Sequence, residues 1–232
     1  MEEKDLNIAY EDNHIIVVIK PQNIPSQEDE SKDKDLLTMV KEYIKVKENK
    51  PGNVYVGLVH RLDRPTGGVM VFAKTSKAAS RLTEQLKTGD MHKKYLAVVN
   101  GKPKEKRAKL VHFLKKNART NTVQVVPELT TDAKRAELDY NVLEQKEKVA
   151  LVEVDLHTGR SHQIRVQMKT IGCPIYGDVK YGGDKLAKGH NLALWAYELR
   201  FIHPTTKQNM TFKCYPPEDI TPWKVFDLNV VK

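Results

Sequence analysis

Three segments of the chain carry apolar residues at the three- and four-residue spacing of an amphipathic helix. The first follows Asp35, where leucine, valine and isoleucine recur until Pro51-Gly52 ends the pattern. The second runs from Ser76 to Gly89. A third is expected to begin at a Ser161 cap and to end at Gly172.

Runs rich in β-branched and aromatic residues predict the strands. They lie at His14–Lys20, Val54–Val59, Val69–Phe72, Lys94–Val99, Thr122–Val126, Ala136–Leu143, Val149–Leu156, Leu192–Phe201 and Met210–Cys214. Strands outnumber helices and follow one another directly, which favours an α+β fold with a largely antiparallel mixed sheet flanked by helices. We expect residues 1–232 to form a single domain.

Charge adds a constraint on the partner. The formal net charge is +9, which favours a polyanion. The excess is greatest between Lys102 and Arg119, where eight basic residues face only Glu105. Such a run is either a solvated surface or a contact with nucleic acid, and the sequence leaves both open.

Several features predict a protein of the reducing cytoplasm with no metal site. The acidic start, Met1–Asp5, has no apolar core of a secretory signal. No segment approaches the roughly 18 apolar residues of a membrane span. The two cysteines, Cys173 and Cys214, lie far apart and lack the spacing of metal ligands.

The nine residues His60–Gly68 are the first candidate for chemistry. They place Asp63 between Arg61 and Arg64, beside a proline-glycine turn and between two apolar runs. A carboxylate flanked by cations should stay ionised, which makes Asp63 a candidate nucleophile or base. The alternative is a tight turn in which the aspartate bonds its own backbone.

Two further segments suggest an anionic ligand and a base. In His157–Arg165, a glycine turn with hydroxyl residues precedes a helix, and Arg160 adds charge, so the segment suits a phosphate. Tyr95 alternates with apolar residues in a strand, where a tyrosine usually fills the core. Its alternative is to stack on a base at the edge of a cleft.

Five segments together resemble the RluA-type pseudouridine synthases, which convert uridine in RNA into its carbon-linked isomer. His60–Gly68 resembles the family's H-R-L-D-x-x-T-S-G box. The other four also stand in family order along the chain: Ile19-Lys20-Pro21 comes before this box, and Lys94–Val98, Leu156–Arg165 and Ile171–Asp178 come after it. The sequence departs from the family pattern at Gly67, Asn23 and Gln167, none of which removes a group that the chemistry needs.

This resemblance implies a fold, an activity and a set of catalytic residues. The fold would be the pseudouridine synthase catalytic fold, two-lobed around a central RNA-binding cleft, without an additional N-terminal RNA-binding module. Asp63 would be the catalytic aspartate, Tyr95 the active-site tyrosine and Arg165 the aspartate's basic partner. Asp63 would either attack C1′ of the ribose or remove a sugar proton, and the sequence does not decide between them.

The resemblance also implies the partner. The substrate would be a uridine in ribosomal or transfer RNA, flipped out of its stem into a pocket. No cofactor is expected, because the isomerisation involves no net redox change, and a monomer is the default. Candidate RNA-binding residues are His60, Arg61, Arg64, Lys94, Arg160 and His162.

Three other functions compete with this prediction. An RNA-binding protein that has lost catalysis would not need Asp63. A glycosidase would use a second carboxylate, from Asp155 or Asp178. A metal-dependent nuclease would use His60, Asp63, His157 and His162, although these residues lack a standard ligand spacing.

Overall fold

The computed structural model describes residues 6–182 and 189–231, so the acidic start at Met1–Asp5 lies outside the described residues. The chain divides into two compact units. The first comprises Met1–His92 and Ala196–Cys214, and the second comprises Lys93–Trp195 and Tyr215–Lys232. In the described part of the chain, no helix has the length and apolar character needed to cross a membrane.

The described part of the first unit, from residue 6 onward, contains two helices and six strands. The helices are α1 (Leu36–Lys47) and α2 (Ser76–Thr88). The strands are β1 (Asn7–Glu11), β2 (Ile15–Lys20), β3 (Gly57–Leu58), β4 (Gly67–Ala73), β10 (Leu194–Ile202, of which the first two residues belong to the second unit) and β11 (Asn209–Lys213). They are ordered β1-β2-β4-β10, with β3 paired to β4 and β11 to β10.

Local sequence signals set both helices of the first unit. The side chain of Asp35 accepts a hydrogen bond from the Thr38 N–H and so caps α1. Gly89 ends α2 in the left-handed conformation at φ 89°. The apolar face of α2 packs through Leu82 in a core that includes Val17 of β2 and Val71 of β4.

Where the structure describes it, the second unit is an antiparallel sheet with one α-helix. Its strands are β5 (His92–Asn100, beginning one residue before the unit), β6 (Arg107–Asn117), β7 (Thr122–Val126), β8 (Lys134–Gln145) and β9 (Val149–Leu156), in the order β5-β9-β8-β6-β7. Helix α3 (Gln163–Thr170) contacts β6 and β7, and Val166 packs on Leu114 and Ala136. Two short 3-10 turns follow at Trp223–Val225 and Leu228–Val231.

The predicted α+β class with a mostly antiparallel sheet is confirmed. The strand predicted at Val54–Val59 is wrong for four of its six residues, because only Gly57 and Leu58 pair with β4. The next ladder position is closed to Val59, since the Val71 N–H donates to the His60 ring. A side chain therefore ends this ladder.

Two strands lay outside the predicted pattern. Strand β1 is one. The other, β6, crosses the basic run Lys102–Arg119, where Leu110 and Leu114 are buried while Arg107 and Lys109 are exposed. The alternation of period two was present in the sequence but was obscured by the density of charge.

Candidate active site

Asp63 lies in a turn of the first unit that closes with a hydrogen bond from the Thr66 N–H to the Asp63 carbonyl, at 2.9 Å. The buried Ser26 hydroxyl donates to the Leu62 carbonyl and accepts from the Leu62 N–H. The Arg64 carbonyl on the other side of Asp63 accepts from the Asn23 N–H at 2.8 Å. The aspartate is thus presented, half-buried, by a turn whose backbone is fixed on both sides.

Close backbone packing dictates the glycine at the end of this turn. Gly68 has φ +125°, a conformation that side chains disfavour. A Cβ built there would lie 2.1 Å from the Ala196 carbonyl oxygen. Only glycine permits β4 to approach this part of β10.

A buried lysine supports the Asp63 turn, and sequence reasoning assigned it no role. Lys20 ends β2 with no exposed surface, and its ammonium donates to the Pro21 carbonyl at 2.9 Å and the Arg64 carbonyl at 3.0 Å. Burial lowers the pKa of Lys20 to about 7, while attraction to Asp63 opposes this and repulsion from Arg64 adds to it. The signal in the sequence was a lysine closing an otherwise apolar strand just before a proline.

The arginines beside Asp63 differ in their surroundings. Arg61 is exposed. Arg64 donates to the Ser31 hydroxyl at 2.8 Å and forms ion pairs with Asp33 and Asp29. Its hydrogen bond to Asp33 helps to lower the pKa of that exposed carboxylate. An RNA phosphate that binds Arg64 would therefore have to replace carboxylates of this chain.

In the second unit, a buried ion pair holds Arg165. Its Nε and Nη2 donate to the two carboxylate oxygens of Asp178, each at 2.8 Å, and its guanidinium lies 5.0 Å from the centre of the Tyr181 ring. Asp178 also accepts the backbone N–H groups of Lys180 and Tyr181. Two parallel bonds fix the plane of the guanidinium as well as its position.

This pairing weakens the glycosidase alternative. The Asp178 side chain has no exposed surface and is engaged by Arg165 and two backbone groups, so it is poorly placed to serve as a second carboxylate at a sugar. Asp155, the other candidate, lies on β9 opposite Lys94 of β5.

The start of α3 differs from the prediction, which placed a cap at Ser161. The N-cap position is occupied by His162 in the left-handed conformation, with no side-chain cap bond. The preceding loop is fixed instead by the side chain of Gln163, whose amide oxygen Oε1 accepts hydrogen bonds from the Thr158 hydroxyl and from the Arg160 N–H. A side chain of the helix itself therefore holds the loop at its start, where a capping residue before the helix was expected.

The histidines each have a protein partner. His60 accepts the Val71 N–H, His157 bonds Asp139 at 2.7 Å, and His162 bonds the Tyr181 hydroxyl at 2.6 Å. Among residues 6–182 and 189–231, no group of three or more His, Cys, Asp or Glu side chains could hold a metal ion. These contacts argue against the nuclease alternative, in which the histidines would be ligands.

Tyr95 and Lys94 lie on β5, and Arg160 lies in the loop before α3. Tyr95 is 6% exposed and pairs with Val154 of β9. Lys94 forms an ion pair with Glu153 at 3.2 Å. The exposed Arg160 donates from Nε to the Arg135 carbonyl. The catalytic and RNA-binding roles of all the predicted site residues remain predictions.

The sequence matches known proteins over most of its length. Residues 14–170 match the RNA pseudouridylate synthase family. An uncharacterized RNA pseudouridine synthase of Bacillus subtilis, YlyB, is 35% identical over 227 residues, covering 94% of this chain and 72% of the relative. The ribosomal large subunit pseudouridine synthase D of Xanthomonas campestris is 34% identical over 231 residues, covering 93% and 67%.

Solved structures agree with the sequence matches. The human RNA pseudouridylate synthase domain containing 1 has a TM-score of 0.75 at 25% identity, covering 96% of this chain and 88% of the human one. The resemblance inferred from five motifs is confirmed by the family match. This chain therefore belongs to the RNA pseudouridine synthase family, whose members are isomerases that act on RNA.

Proposed function

We propose that this chain isomerises a uridine of structured ribosomal RNA to pseudouridine, with transfer RNA as the alternative target. Relatives from Xanthomonas campestris, Zymomonas mobilis and Vibrio cholerae, 32–34% identical, are named ribosomal large subunit pseudouridine synthase D. Either RNA target would place the protein in the cytoplasm, because both kinds of RNA are found there. That the protein is a monomer stays a prediction. The net charge of +9 suits either polyanion.

The observation that best supports the proposal is the way in which the chain holds the turn that bears Asp63. Its turn is fixed by Ser26 on one side and by Asn23 and Lys20 on the other, which positions one carboxylate without immobilising it inside the core. Lys20 is close enough to Asp63 for attraction to the carboxylate to oppose the lowering of the Lys20 pKa by burial. An ionised, positioned carboxylate is what attack on C1′ or removal of a sugar proton requires.

The proposal keeps the roles that the family resemblance implies for the other two residues. Arg165 would be the basic partner of the aspartate, and its bidentate bond with Asp178 supports this role by holding the guanidinium rigid. Tyr95 would stack on the uracil and take the C5 proton, directly or through water. A phenol has an ordinary pKa of about 10, so this step needs local activation.

The uridine would have to leave its stem before it can react. Breaking the N1–C1′ bond and joining C5 to C1′ requires the uracil to turn, which a stacked base cannot do. Flipping costs a few kcal/mol of unstacking. Contacts from exposed cations such as Arg61 and Arg160 to the RNA backbone would offset that loss.

Two parallel incubations separate the competing activities. The protein is mixed with unmodified ribosomal RNA, once with Mg²⁺ and once with EDTA; RNA length is checked on a gel, and the nucleosides and free bases are separated by chromatography and mass spectrometry. We expect a uridine isomer of unchanged mass. Free uracil would instead indicate a glycosidase, and shortened RNA a nuclease, either of which would overturn the proposal.

A single substitution tests the catalytic role of the carboxylate. Asp63→Asn removes the charge with little change in shape, so we expect RNA binding close to that of the unsubstituted protein and no pseudouridine above background. Asp219→Asn is the matched control, because Asp219 is exposed and lies in the second unit. Product formation by Asp63→Asn at the control's rate would contradict the assignment.

The target nucleotide is found in cells. Pseudouridines are mapped across ribosomal and transfer RNA from strains with and without this gene. Loss of a pseudouridine from large-subunit ribosomal RNA is the expected result. Loss confined to transfer RNA would replace the first target by the second.

A further inference from the structure

Two adjacent lysines on β5 lie on opposite faces of the sheet. Successive side chains of a strand point to opposite faces, so Lys93 shares a face with Tyr95, whereas Lys94 lies on the other. The sequence predicts Lys94, and not Lys93, as one of six RNA-binding residues. The strand register instead aligns Lys93 with the tyrosine assigned to the uracil.

The charge of Lys94 is already balanced. Its ammonium pairs with Glu153 at 3.2 Å, and both side chains are about three-quarters buried or more, with relative exposures of 27% and 21%. Asp155 is directly opposite Lys94 in the ladder with β9. A phosphate approaching Lys94 would meet these carboxylates.

Lys93 has no such partner. Its side chain is half-buried, yet its ammonium makes neither a hydrogen bond nor an ion pair with any residue in 6–182 or 189–231. Burial lowers the pKa of Lys93, and no other cause opposes it. A desolvated cation without a counter-charge is unfavourable, which is the state expected of a group whose anion arrives with a ligand.

The ammonium of Lys93 faces a loop that suits an anion. A Cβ built on Gly159 would lie 3.5 Å from Lys93 Nζ, so the glycine leaves the space beside the ammonium open. Gln163 fixes this loop through Thr158 and through the backbone of Arg160. Arg160 follows the glycine directly and adds a second, exposed cation.

We propose that Lys93, rather than Lys94, binds a phosphate of the substrate RNA, with Arg160 as the second cation of the same site. This assignment rests on the proposed function, since it presumes that RNA is the ligand. A phosphodiester is always ionised, so it supplies the counter-charge that Lys93 lacks within the described residues. The contact would lie on the same face of β5 as Tyr95 and so would help to place the target nucleotide.

The test compares neighbouring lysines on one strand. Binding of unmodified large-subunit ribosomal RNA, transcribed in vitro, is measured against salt concentration for the unsubstituted protein, Lys93→Gln, Lys94→Gln and Lys93→Arg. We expect Lys93→Gln to weaken binding about tenfold or more and to reduce the slope of log affinity against log salt by about one. Lys94→Gln should change affinity less than about twofold, and Lys93→Arg should restore the slope.

Stability supplies a second readout. Because the Lys93 ammonium has no counter-charge in the described structure, Lys93→Met should unfold at the same urea concentration as the unsubstituted protein or at a higher one. A clear loss of stability would show that Lys93 supports the fold, and it would overturn the assignment. An unchanged salt slope in Lys93→Gln, or equal losses in Lys93→Gln and Lys94→Gln, would overturn it as well.

Failure of this inference can be distinguished from failure of the proposed function. The readout is the protein–RNA complex and not the product, so the two lysines can be compared even if the protein forms no pseudouridine. If the unsubstituted protein forms pseudouridine but Lys93→Gln binds RNA as Lys94→Gln does, only the assignment of Lys93 fails.

Discussion

Replacing Lys20 by methionine tests the buried ammonium that supports the Asp63 turn. Lys20 has no exposed surface and bonds the carbonyls of Pro21 and Arg64. Burial lowers its pKa from an ordinary 10.5 to about 7, against the attraction of Asp63. Methionine has a similar length but carries no charge, so the variant removes the titration and retains most of the packing.

The magnitude follows from the two pKa values. The unfolded chain holds the Lys20 proton up to about pH 10.5, and the folded chain releases it near pH 7. Between these values the unfolded state binds more protons, so this lysine makes stability rise with pH by up to about 1.4 kcal/mol per pH unit. From pH 6 to pH 9 the rise is about 2.5 kcal/mol.

The assay is urea unfolding at several pH values between 6 and 9. We expect the unfolding free energy of Lys20→Met, relative to the unsubstituted protein, to fall by about 2.5 kcal/mol across this range. Subtracting the two proteins removes the contribution of other titrating groups. A difference that stays constant from pH 6 to pH 9 would refute the reasoning, because Lys20 would then hold its proton throughout.

Lys74→Met is the matched control. Lys74 is also largely buried, and burial alone would lower its pKa, but hydrogen bonds with Glu11 and Glu48 raise it. Its contribution to stability is therefore fully present below about pH 10.5 and is lost only above that value. Between pH 6 and pH 9 this variant should differ from the unsubstituted protein by a constant amount.

Two further substitutions test close packing and the buried ion pair. Gly68→Ala should lower the unfolding free energy by at least about 3 kcal/mol, because its Cβ would overlap the Ala196 carbonyl, whereas Gly52→Ala, with nothing within 4 Å, should change it by less than about 0.5 kcal/mol. Equal effects in urea unfolding would contradict this account. Asp178→Asn should cost about 3–5 kcal/mol by leaving the Arg165 charge buried without its counter-charge, and a loss below about 1 kcal/mol would show that the pair is not needed.

Local chemistry was enough to predict α1 and α2. An aspartate caps the first helix and a left-handed glycine ends the second, and both signals act within a few residues. The start of α3 was predicted wrongly because its loop is fixed by Gln163 from inside the helix. The predicted strand extends too far at Val59, because the His60 ring accepts the Val71 N–H at the next position of the ladder.

The motifs of the sequence determined the family and the candidate catalytic residues, since the order and spacing of short segments survive without knowledge of the fold. Tertiary structure decided which charges are balanced. Lys20 donates to the Arg64 carbonyl 44 residues away, and Arg165 pairs with Asp178 13 residues away. On β5, Lys94 has an ion-pair partner, whereas its neighbour Lys93 has none among the described residues. Such contacts depend on strand register and burial, which bring together groups whose separation along the chain carries no signal.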